Sequence, residues 1–165
     1  MRRGDDQLLV NPVLGVRHQA VEREVARLCG ERYDPSIPPT ISAPLSQLAR
    51  RIGDYLFKEG REQKLDRQVK KMVDTIVAYA FPFFRAHSSL EDLAAALRSG
   101  EYGFPHQVVY RLPVALALLG RHAEAQDTVH ASLADLGHSQ NLAAQRFRAF
   151  ADTFVSHSPA VGTDP

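Results

Sequence analysis

Apolar residues at helical spacing from residue 61 onward are the feature that most limits what this chain can fold into. In the first such segment they project within about 100° of one another on a helical wheel, and they are Leu65, Val69, Met72, Val73, Ile76 and Ala80. The same spacing predicts four further helices, over 88–100, 106–120, 121–136 and 139–156. The pattern therefore predicts a mainly helical C-terminal half.

Serine and proline mark where some of these helices begin and end. Ser88 and Glu91 have the spacing of a capping box, in which each side chain satisfies a free backbone N–H group at the helix start. Pro82 is expected to end its helix or to kink it at Phe81. The helix that contains Pro113 is expected to continue with a kink, because its apolar stripe crosses the proline in register.

The residues before 61 have a different pattern, of short strands separated by loops. QLLVNPVLGV (7–16) is apolar and β-branched, but its proline cannot donate to a strand ladder, so an edge strand or a bulged strand is predicted. A helix that ends at Gly30 follows, and 41–48 and 54–59 are candidate strands. The prediction is an α+β fold, with a small antiparallel N-terminal sheet followed by a mainly helical C-terminal half.

The chain length of 165 residues predicts a single domain with one core. This domain is expected to cover 1–157. Its sheet-containing part would run over about 7–60 and its helical part over about 61–157, and a disordered tail is expected at 158–165.

Charge and hydropathy limit the classes of partner. The 20 basic and 19 acidic residues leave a formal charge of +1, which gives no electrostatic reason to bind nucleic acid. The longest apolar run, VALALL at 114–119, is far shorter than the roughly 20 residues of a membrane span. MRRGDDQLLV at the N-terminus lacks the apolar run of a signal peptide. A cytoplasmic protein with no membrane partner is expected.

No catalytic motif stands out in the sequence. Phosphate-binding glycine loops, Gly-x-Ser-x-Gly and His-Glu-x-x-His are absent. Cys29, the only cysteine, lies at the predicted C-terminal end of a helix, where the helix dipole disfavours a thiolate. The sequence assigns no catalytic, cofactor-binding or metal-binding residue, and a non-enzymatic protein is favoured. The alternative is a hydrolase or metal-dependent enzyme that brings together dispersed histidines, such as His18, His106 and His122.

Two segments carry candidate binding residues. The aromatic side chains around Pro82 either fill the core at a turn or form a patch that binds a partner protein. The partner-binding candidates are Phe81, Phe83, Phe84 and Arg85. The basic face of the helix over 61–80 is either an ordinary solvated face or a surface for anions or nucleic acid. Its candidate residues are Arg61, Lys64, Arg67 and Lys71.

LLGRHAEA (118–125) resembles the middle of a tetratricopeptide unit, in which a Leu-Gly turn joins two helices that pack closely at an alanine. The residues that match this pattern are Leu119, Gly120, Glu124 and Ala125. Nothing recurs at the family's period of about 34 residues, so one tetratricopeptide-like hairpin over 108–136 is predicted and not a repeat array.

Four segments in this order resemble an uncharacterised family of small bacterial proteins of unknown function: VNPVLGVRH (10–18), PPTISAPLSQL (38–48), YAFPFFRAHSSLEDL (79–93) and LPVALALLGRHAEA (112–125). The resemblance spans most of residues 8–135 and implies a small sheet before a helix and a Pro-Phe turn, with no established activity. Members commonly begin with further strands, which implies that the strand at 7–16 lacks its usual neighbour.

These observations together favour a non-enzymatic, immunity- or adaptor-like module that binds another protein. An unpaired strand edge at 7–16 could also pair with a second copy, which makes a homodimer one form of that hypothesis. Nucleic-acid binding through the basic helix face is the third hypothesis, after the enzyme.

Overall fold

The computed structural model describes residues 7–36, 38–50, 55–58 and 62–157. The elements, numbered in chain order, are β1 (Gln7–Val10), β2 (Val13–Val16), α1 (Gln19–Leu28), β3 (Ile41–Pro44), α2 (Leu45–Leu48), β4 (Tyr55–Lys58), α3 (Glu62–Ala86), α4 (Leu90–Ser99), α5 (Pro105–Leu118), α6 (His122–Leu136) and α7 (Leu142–His157). The predicted α+β class is confirmed. The tail predicted at 158–165 lies outside the described residues.

The chain forms two compact units, and each contains two separate segments of sequence. Unit 1 comprises Met1–Gly15 and Ser42–Ala86, and unit 2 comprises Val16–Ile41 and His87–Pro165. Helix α1 therefore belongs with the C-terminal helices, although in sequence it lies among the strands.

Unit 1 is built from short strands and one long helix. β1 pairs with β4, and β2 pairs with β3, while α3 packs against α2 and β4. The buried apolar side chains come from both sheets, α2 and α3, and they are Leu14, Ala43, Leu45, Tyr55, Phe57, Ala80 and Phe83. Of the α3 side chains that the structure describes, only two are in this set. Gln68, Met72, Thr75 and Ile76 are half-buried, and the other described side chains of α3 are exposed.

The predicted strand over 7–16 is two strands, because the chain leaves the ladder at Asn11 and Pro12. β1 runs antiparallel to β4, with Leu8 opposite Phe57 and Val10 opposite Tyr55. Among the described strands, β1 pairs with β4 alone. The prediction that the strand at 7–16 lacks a neighbour stays a prediction.

Helix α3 continues through Pro82 to Ala86, so the prediction that the helix could end at the proline is wrong. Proline in a helix leaves the carbonyl four residues earlier without its N–H partner. That carbonyl belongs to Ala78, which is exposed, so water can replace the missing donor. The helix therefore tolerates the proline and continues for one more turn, to Ala86.

Unit 2 is an assembly of five helices around an apolar core. α5 contacts α1, α4 and α6, and α7 contacts α6 and α1. The residues predicted to be buried on α7 are buried, namely Phe147, Phe150, Ala151 and Phe154. The ring of Tyr110 on α5 meets Phe147 and Phe150 edge-on, with ring centroids 5.3 and 4.9 Å apart. These aromatic contacts pack α7 against α5.

Helix α4 begins one residue later than the capping prediction placed it. Ser89, and not Ser88, is its N-cap, and the Ser89 Oγ accepts a hydrogen bond of 3.1 Å from the backbone N–H of Asp92. The Ser89 hydroxyl also donates to the Asp92 carboxylate. Two adjacent serines each have an acidic residue three positions on, so the sequence motif alone does not distinguish the two registers.

A buried ion pair joins α1 to α5 inside unit 2. The side chains of Arg111 and Glu22 are each only 6% exposed. Arg111 Nε lies 2.9 Å from Glu22 Oε1, although not in hydrogen-bond alignment, and Nη2 donates to Oε2 at 3.3 Å. Nη1 donates to the backbone carbonyl of Thr40 at 3.0 Å and also to the Gln107 side chain. The guanidinium is thus neutralised by Glu22, and its two terminal nitrogens donate hydrogen bonds to three acceptors.

The first prediction concerns this pair. We expect Glu22→Gln to lower the free energy of unfolding by about 3–5 kcal/mol, because it leaves the Arg111 charge buried without a counter-charge. Glu24→Gln is the matched control, since Glu24 pairs with Arg27 on the surface of the same helix and such pairs contribute at most about 1 kcal/mol. Urea denaturation measures both. Equal losses for the two variants would contradict the role given to Glu22.

Candidate contact surface on helix α3

The exposed apolar residues of α3 form a continuous row. Residues four apart in a helix lie along one inclined ridge of its surface. Leu65, Val69, Val73, Val77 and Phe81 follow this spacing and are 44%, 40%, 45%, 52% and 56% exposed. We call these five residues the α3 ridge. It is about 24 Å long at 1.5 Å per residue.

The rows on either side of the ridge have opposite characters. On one side lie Gln68, Met72 and Ile76, which are half-buried, and Ala80, which is buried. On the other side lie Asp66, Lys70 and Asp74, all exposed; we call these three the charged row. The apolar stripe predicted from the sequence is therefore only partly covered. Met72, Ile76 and Ala80 face inward, whereas Leu65, Val69 and Val73 are exposed.

The aromatic residues around Pro82 also differ in burial. Phe83 is 5% exposed and belongs to the core, where its ring lies edge-on to Phe84 with centroids 6.0 Å apart. Phe81 and Phe84 are 56% and 39% exposed, and Arg85 is also exposed. Of the four partner-binding candidates, three thus lie at the surface. Phe81 extends the α3 ridge at its C-terminal end.

The basic face of α3 borders a shallow depression next to the charged row. Its lining includes Arg67, Lys70 and Lys71, together with Asp74 and Tyr79. The same lining contains one aromatic residue, Tyr79, which the sequence analysis did not associate with these cations. Of the other anion-binding candidates, Arg61 lies outside the described residues, and the Lys64 side chain is not described.

The dispersed histidines are not assembled into a metal site in the part of the chain that the structure describes. His18, His106 and His122 form no cluster that could hold a metal ion, nor does any other group of three or more His, Cys, Asp and Glu residues there. His106 instead stacks on Phe104, with ring centroids 5.6 Å apart. His18 occupies the N-cap position of α1.

One small cleft in unit 2 does bring two histidines near a carboxylate. It has a volume of about 180 Å³, and its polar lining consists of Glu24, Arg27, His122 and His157. The hydrogen bond from Arg27 holds the pKa of the Glu24 carboxyl below its usual value, which makes Glu24 a weak base. The Nδ1–H group of His157 donates to the Thr153 carbonyl at 2.8 Å. None of the described residues that line the cleft is Ser, Thr or Cys.

Cys29 is a half-buried thiol at the C-terminal end of α1, as the sequence analysis placed it. Burial, with a smaller contribution from the negative charge of Glu31, raises the pKa of the thiol to about 11. Because the thiolate is the reactive species, this position is unsuited to a nucleophile at neutral pH.

Other exposed apolar residues lie on the strands of unit 1. Leu8, Leu9 and Val13 are 63%, 62% and 60% exposed. Leu8 and Leu9 are consecutive and therefore point to opposite faces of the strand. They do not form one continuous patch, unlike the α3 ridge.

No protein-family model, curated protein or solved structure matches the chain. The resemblances to a small bacterial family and to a tetratricopeptide hairpin therefore stay predictions. Among the described residues, no helix combines the length and the apolar character that crossing a membrane requires.

The second prediction concerns the reactivity of Cys29. Its thiol should react slowly with iodoacetamide at neutral pH, and the reaction rate should rise only as the pH approaches 11, because the pKa of the thiol is raised to about 11. The folded-state pKa lies above the unfolded value of about 8.5, so the thiol's contribution to stability is complete below about pH 8.5 and is lost as the pH rises. The control is Ala131→Cys in a Cys29→Ser chain, since Ala131 is exposed. Matching pH profiles for the two thiols would refute the prediction.

Proposed function

We propose that the chain is a non-enzymatic protein-binding module, immunity- or adaptor-like, and that the α3 ridge is its contact surface. The observation that carries this proposal is the ridge itself. Five apolar side chains in one row are each at least 40% exposed, whereas an isolated exposed apolar residue needs no explanation. A contiguous apolar strip with a charged border is typical of a surface that another protein covers.

The composition of the ridge fits such a contact. Its branched side chains, Val69, Val73 and Val77, present a narrow surface with little rotamer freedom to lose on binding. Phe81 adds an aromatic anchor at one end, and aromatic side chains contribute strongly to interface energies. The helix backbone satisfies its own hydrogen bonds, so covering the ridge leaves few polar groups unpaired.

The third prediction tests the ridge without changing charge. We expect Val73→Ser combined with Val77→Ser to weaken retention of the partner by about tenfold to a hundredfold, because two valine side chains would no longer be buried in the contact. The measurement is affinity capture from a lysate of the producing cells with quantitative mass spectrometry. The free energy of unfolding should change by only about 0.5 kcal/mol, since both sites are exposed.

The control for this experiment is a pair of exposed apolar residues in unit 2. Leu142 and Val155 on α7 are 64% and 42% exposed, so their replacement by Ser removes comparable apolar surface elsewhere. Only the α3 variant should lose the partner. If wild type and the α3 variant retain the same proteins in the same amounts, the α3 ridge is not the contact surface.

Anion or nucleic-acid binding is the second candidate function, favoured by the depression beside Arg67, Lys70, Lys71 and Tyr79. Asp66 and Asp74 border the same surface and reduce its positive potential. For this reason protein binding is the leading proposal.

The fourth prediction separates the two candidates. If nucleic acid binds here, Arg67→Gln with Lys71→Gln should reduce the salt dependence of DNA retention, with the logarithmic slope falling by about 1.8 for two lost phosphate contacts. Arg32→Gln with Arg146→Gln serves as the control for lost positive charge, since both residues are exposed. An unchanged slope, or no retention of the wild-type chain at low salt, would exclude this candidate.

A further inference from the structure

We draw no further inference here: the strongest candidate, the exposed apolar surface patch that the α3 ridge forms in unit 1, already carries the proposed function, and nothing in the structure shows what covers it.

Discussion

The guanidinium group of Arg111 is the constraint on which unit 2 depends. A charged side chain that is 6% exposed is stable only when its charge and its N–H groups are satisfied locally. The carboxylate comes from Glu22 on α1, and further acceptors come from the carbonyl of Thr40 and from Gln107 one turn earlier on α5. Unit 2 is therefore complete only when the segment around α1 joins the C-terminal helices.

Periodicity and capping predicted much of the fold. The helices of unit 2 lie close to their predicted spans, since each has an apolar face with a helical repeat and a clear end such as Gly100, whose φ is +69°. The burial of Phe147, Phe150 and Phe154 followed from the same repeat. These features follow from local sequence patterns, and for that reason the sequence was enough to predict them.

The features that sequence did not predict depend on tertiary context. Arg111 looks like an ordinary surface charge until its partner, 89 positions away in the chain, is placed beside it. Pro82 was expected to end or kink a helix, and α3 does not end there because an exposed carbonyl can bond to water. The apolar face of α3 was correctly located, but periodicity cannot tell whether a face is covered. Only the packed structure shows that Val73 and its neighbours in the α3 ridge remain exposed.

The interleaved order of the two units has a consequence for biosynthesis. Glu22 emerges from the ribosome long before Arg111, and at about 5–20 residues per second the delay is roughly 4–18 s. During that interval α1 has no α5 to pack against, while residues 42–86 of unit 1 are being synthesised. Translation speed across 23–111 therefore sets how long the Glu22 carboxylate lacks its Arg111 partner, and the last residues of unit 1 are made before those of α5.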